Sequence, residues 1–196
     1  ALETGLMIYH GGSLLEPTAV FDRYVAWHPS YTAYFPTVTR RIREFKDNIY
    51  LGKYYPQYQQ YGQRGSSYGM DFHYGSERVI VRNTRIENFG AGISRPSNRF
   101  SIFEDLYLSN FVDIQDREWM VLKNVSFNRP SWIPAEIYRA IRYCPDRAGG
   151  IALCYDRPPS SADDLGERRM IVYNATFDGR PAKEVFPHLT SNDFQV

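Results

Sequence analysis

Cysteine is scarce: the 196 residues contain only two, Cys144 and Cys154. Two thiols cannot build a four-ligand structural zinc site. They flank Asp146-Arg147-Ala148-Gly149-Gly150, a spacing that suits a local disulfide closing a Gly-containing loop. Such a bond would place the chain in an oxidising, extracellular setting, secreted or at the cell surface. A long apolar run is missing too; nothing approaches the roughly 20 residues of a membrane-spanning helix, so membrane insertion is not expected. The opening Ala1-Leu2-Glu3-Thr4-Gly5 lacks the basic-then-apolar pattern of a signal peptide, so the chain reads as mature or as part of a longer surface protein. Charge of one sign is lacking, with 23 basic against 22 acidic residues. That balance gives no field for nucleic acid, which is excluded as a partner. With 14 Gly and 12 Pro among 43% hydrophobic residues, collagen-like and disordered classes are excluded as well. The length fits one domain, residues 1–196.

What is abundant is aromatic side chain, at 16%, and a short repeat. The word apolar-x-(Asn/Asp)-x-x-apolar occurs at Val20-Phe21-Asp22 to Val25, Val81-Arg82-Asn83 to Ile86, Phe103-Glu104-Asp105 to Leu108, Leu122-Lys123-Asn124 to Phe127, and Val172-Tyr173-Asn174 to Phe177. A second word, usually Gly followed by apolar-x-apolar, precedes each copy at Gly5-Leu6, Gly69-Met70, Gly92-Ile93, Val112-Asp113 and Gly150-Ile151. Both words have period 2 and are bounded by turn-forming residues, so each predicts a short strand. No helical pattern separates the central copies, which excludes ordinary βαβ units.

The expected fold class is therefore all-β: a right-handed parallel β-helix solenoid with two long loop insertions, about 28–68 and 129–169. Val81, Phe103, Leu122 and Val172 should form one inward column, and Ile86, Leu108, Phe127 and Phe177 another. The Asn/Asp column should occupy turns, because these residues tolerate the left-handed conformation and their stacked amides can hydrogen-bond along a ladder. A further degenerate coil is admitted around Ile42 to Leu51, and a short helix over Pro134 to Tyr143. On VIVRNTRIENFGAGI, FSIFEDLYLSNFVDIQ and WMVLKNVSF, the stretch Arg78 to Asn128 resembles the parallel β-helix repeats of the pectate lyase superfamily. The resemblance implies a polysaccharide or glycan as partner.

If Met70, Phe72, Ile93, Val112 and Ile114 face inward, alternation turns Asp71, His73, Ser94, Asp113 and Gln115 outward as a polar strip. Asp71 and Asp113, in equivalent positions two coils apart, would sit ~9–10 Å apart, compatible with the carboxyl pair of an inverting glycosidase. His73 and Arg95 would border them. In a lyase Arg95 would act as the base. No cofactor is required, but Asp71, Asp113 and Asp116 form an oxygen-rich set suited to calcium. Tyr54, Tyr55, Tyr58, Tyr61, Trp27 and Trp132 are the candidates for stacking on sugar rings. Since no complete catalytic word is present, a carbohydrate-binding or structural module is favoured, with a polysaccharide hydrolase or lyase as the alternative. Asn124-Val125-Ser126 and Asn174-Ala175-Thr176 match the N-glycosylation pattern. They count as accidental if both asparagines are buried in the turn column.

Overall fold

The computed structural model describes residues 4–8, 19–28, 32–36, 42–52, 67–72, 78–94, 100–115, 119–134, 138–141, 170–181 and 184. All elements among them are strands. One sheet contains β1 (Thr4–Ile8), β4 (Thr32–Pro36), β7 (Tyr68–Asp71), β9 (Ala91–Ser94), β11 (Val112–Gln115) and β13 (Arg139–Ile141), side by side in that order. A second sheet contains β2 (Ala19–Asp22), β3 (Val25–Trp27), β5 (Ile42–Lys46), β6 (Ile49–Leu51), β8 (Arg78–Glu87), β10 (Phe100–Ser109), β12 (Trp119–Phe127), β14 (Met170–Tyr173), β15 (Thr176–Phe177) and β16 (Arg180–Pro181). The chain alternates between the sheets, and each return lies parallel beside the strand before it. Among the described strands only the closing hairpin of β15 and β16 is antiparallel. The protein is all-β with mostly parallel pairing.

Alternation along the second sheet explains its core. In β8, Val79, Val81, Thr84 and Ile86 are buried while Arg85 is exposed. Phe45, Val81, Phe103, Leu122 and Val172 pair in register and are all buried. Tyr50, Ile86, Leu108, Phe127 and Phe177 form a second buried column. Both expected columns are present, each extended by one residue from β5 or β6. The stretch 42–51 is thus a further turn of the repeat, the coil admitted within the 28–68 insertion. Its word, Phe45-Lys46-Asp47 to Tyr50, fits the repeat, with Phe45 and Tyr50 in the two columns and Asp47 at the turn. Rings line the core at the β2 end, where Phe21 lies 5.2 Å from Tyr24 and 5.8 Å from Phe45, and Phe45 lies 5.3 Å from Phe72. At the opposite end Phe127 stacks on Phe177 at 4.8 Å.

Two expectations are corrected. The first copy of the repeat is shifted by one: Phe21, not Val20, pairs with Phe45, and Val20 is 50% exposed. Over 139–141 a strand, β13, replaces the expected helix, because pairing with β11 supplies the backbone partners and tertiary context overrides local propensity.

Between the two halves of the second sheet the backbone turns through a left-handed residue at Arg23, Asp47, Asn83, Asp105, Asn124 and Asn174, with φ from 42° to 56°. A β-carbon resists this conformation by about 1–2 kcal/mol; Asn and Asp resist it least outside Gly. Their side chains also bond along the stack. Asn83 Nδ2 donates to Asp47 Oδ1 at 2.7 Å, Asn124 Nδ2 to Asp105 Oδ1 at 2.9 Å and Asn174 Nδ2 to Asn124 Oδ1 at 3.0 Å. Asn thus supplies the donor that Asp lacks.

Truncating Phe103, fully buried mid-column, should lower stability by about 3–5 kcal/mol in urea unfolding, the cost of a core aromatic cavity. At the corner, Asn83→Ala should cost about 1 kcal/mol more than Asn83→Gly, because only the former keeps a β-carbon at positive φ. Equal midpoints for the two Asn83 variants would contradict the strain account.

Candidate functional site

The strands expected to carry the polar strip are β7, β9 and β11. Both faces of each are closed, since Met70, Asp71, Phe72, all of 91–94, Val112, Asp113 and Ile114 are buried. The outward strip is therefore corrected: Asp71 and Asp113 are each 0% exposed and Ser94 is 1%. The register is corrected as well. Ile114 pairs with Ile93 and Gln115 with Ser94, which in turn pairs with Asp71. Asp113 instead falls opposite Gly92, so the two aspartates are not in one column. The slip arose because the Gly-apolar word was anchored at Val112, whereas the equivalent of Met70 and Ile93 is Ile114.

Asp113 is held in a corner network. Its Oδ1 accepts from the Asn110 backbone N–H at 2.7 Å and from Asn110 Nδ2 at 2.9 Å, while its Oδ2 accepts from the Tyr138 hydroxyl at 2.5 Å. Asn110 also ties in the preceding turn of the chain. Its Nδ2 donates to the Ile86 carbonyl at 3.0 Å and its Oδ1 accepts from the Phe89 N–H at 3.0 Å. Gly92 is required beside it, because a β-carbon there would come within 2.6 Å of Asn110 Nδ2. Nearby, the Arg129 backbone N–H donates to Asp178 Oδ1 at 2.6 Å, and Arg129 Nη1 donates to the Ile133 carbonyl at 2.6 Å. Burial pushes the Asp113 carboxyl well above its usual range, against the hydrogen bonds from Tyr138 and Asn110, which act the other way. Burial, then the Asp113 charge, raise the Tyr138 hydroxyl, so it stays a donor at neutral pH. Neither Asn110 nor Tyr138 was a sequence candidate. An Asx residue three before an Asp at a strand start could have flagged Asn110; Tyr138 had no signal.

This network does not fit a calcium site. Three donors already face the Asp113 oxygens, and Asp71 lies out of its column. Among the described residues no group of three or more His, Cys, Asp or Glu is gathered. His73, Arg95, Asp116, Tyr54, Tyr55, Tyr58, Tyr61, Cys144 and Cys154 lie outside the described residues.

Among the described residues, the outer face of the second sheet carries exposed side chains. Val25, Ile49, Arg85 and Tyr107 form one column, and Trp27, Leu51, Glu87 and Ser109 the next. Trp27 is 74% exposed, with its ring 4.9 Å from that of His28. Tyr107, 40% exposed, lies under the Arg85 guanidinium, 5.0 Å from ring centroid to Cζ. Arg85 in turn pairs with Glu87. Trp132, by contrast, is half-buried and packs against the core. Beside this face Arg82 bridges Glu44 at 2.5 Å and Glu104 at 2.9 Å, and Lys123 reaches Glu104 at 2.5 Å. Hydrogen bonds from Lys123 and Arg82 hold the Glu104 carboxyl below its usual range.

A raised carboxyl makes stability depend on pH with a definite sign. The contribution of neutral Asp113 is complete below the ordinary Asp range and is lost as pH rises through the raised folded value. Asp113→Asn should therefore flatten the decline of the urea midpoint above about pH 4. A variant with the same slope as the parent would show that Asp113 does not cause it.

No family model, curated protein or solved structure matches this chain, so its functional reading rests on its own residues.

Proposed function

We propose that the chain is a right-handed parallel β-helix module of a secreted or surface protein that binds carbohydrate or serves as a structural coil. The alternation of the chain between two sheets, with every return parallel and in register, supports the coiled architecture. The hand follows from the strong preference of parallel crossovers for right-handed connection. Its ligand is a polysaccharide or glycan.

The observation that carries the binding reading is Trp27: of the candidate residues described, it alone presents a largely open ring. Tyr107 shares its sheet face, three strands further along and two residues off the Trp27 column, a separation of ~16 Å at the inter-strand and along-strand spacings. Flat aromatic faces spaced along a rigid sheet suit the apolar C–H faces of successive sugar rings, and a rigid ring makes that contact at low entropic cost. The closed, out-of-column positions of Asp71 and Asp113 weigh for binding over hydrolysis or elimination.

Titration against a panel of soluble polysaccharides tests this directly. Trp27→Ala should weaken the bound glycan by about 1 kcal/mol, roughly fivefold in Kd, with Trp27→Phe recovering part of the loss. Unchanged affinity in both variants would remove Trp27 from the site. Binding of no glycan by the parent chain would leave the structural coil.

A further inference from the structure

The two N-glycosylation patterns count as accidental only if their asparagines are buried, but both Asn124 and Asn174 are exposed. We propose that Asn174 is an attachment site for an asparagine-linked glycan, an inference that rests on the extracellular placement above. The pattern Asn-x-Ser/Thr needs the amide and the hydroxyl on one accessible surface. Alternation supplies that arrangement. Asn174 faces outward, Ala175 is buried at 3%, and Thr176 is again toward the surface.

Asn124 and Asn174 differ in their place on the ladder. The Asn124 amide is engaged on both sides, donating to Asp105 and accepting from Asn174. Side chains of the neighbouring strands therefore flank it at ~4.8 Å on either side, too close for a sugar ring between them. Asn174 stands at the end of the corner ladder. Past it, among the described residues, only the hairpin strand β16 pairs onward, and it pairs with β15 at Thr176 and Phe177.

The ladder bond does not oppose modification. Transfer from a glycosyl donor joined through a diphosphate breaks the anomeric C–O bond, forms a C–Nδ2 bond and releases one amide proton with the diphosphate. The product keeps its second N–H, which can still donate to Asn124 Oδ1, the bond that spans 3.0 Å in the unmodified chain. Asn174 occupies the left-handed corner position, φ 54°, and is exposed there.

The test is expression of the full chain behind a cleavable leader in glycosylating eukaryotic cells, with site occupancy read by peptide mass after amidase release. The leader delivers the chain to the lumen whatever its native address. Absence of glycan would therefore count against the site alone, while export from its native source decides the extracellular placement. One glycan is expected on the parent chain, retained in Asn124→Gln and lost in Asn174→Gln and in Thr176→Ala. A folded parent without glycan, or a glycan lost only in Asn124→Gln, would overturn the assignment. Far-UV circular dichroism of the Thr176→Ala chain, which keeps the ladder amide, separates loss of the acceptor from loss of the fold.

Discussion

One residue per repeat must adopt a left-handed backbone conformation so that the second sheet can bend, and the rest of the architecture depends on that constraint. Where the residue is Asn or Asp, two requirements are met together. The strain is least outside Gly, and the side chain bridges to its neighbour in the stack, as Asn83 does to Asp47 and Asn124 to Asp105. Arg23 meets only the conformational requirement, with φ 53°, and it stands in the outermost strand pair. With the bend fixed at the same place in each repeat, Phe45, Val81, Phe103, Leu122 and Val172 fall into one column and Tyr50, Ile86, Leu108, Phe127 and Phe177 into another. Most of the apolar burial of the second sheet follows from these two columns.

The first sheet is organised differently. Its strands β7, β9 and β11 are closed on both faces, so polar side chains there need internal partners. Asn110 and Asp113 partner each other, the preceding turn and Tyr138. The result is a buried carboxyl whose raised proton affinity reflects its enclosure, a property that could be mistaken for catalysis if seen without its burial. Surface ion pairs such as Arg82 with Glu44 and Glu104 add charge balance and little stability.

Much of the second sheet was legible in the sequence because period-2 alternation and an Asn/Asp punctuation mark repeat together. Val81, Phe103, Leu122 and Val172 were readable for that reason. The copy at Phe45 was legible as a further coil around Ile42 to Leu51, whereas the copy at Phe21 slipped by one because Asp22 mimicked the turn residue that is in fact Arg23. The candidate site was less legible. Alternation alone turned Asp71 and Asp113 outward, but sequence period does not reveal what closes a sheet's second face. The two-residue error at Asp113 came from anchoring the second word at Val112, which has no Gly before it, whereas the partner of Ile93 is Ile114. Trp27 was legible as an aromatic candidate, though its exposure was not.

The central claim is that successive returns of the chain stack parallel and in register. Electron–electron distance measurement between spin labels tests it most directly, with Cys144 and Cys154 replaced by serine. Position 22 carries one label and position 123 or 173 the other, all three in one register column of outward side chains. At the inter-strand spacing, four and five steps predict narrow distributions near ~19 Å and ~24 Å. Two distances that fail to increase with strand number, or a broad distribution in the folded protein, would contradict the stacked architecture.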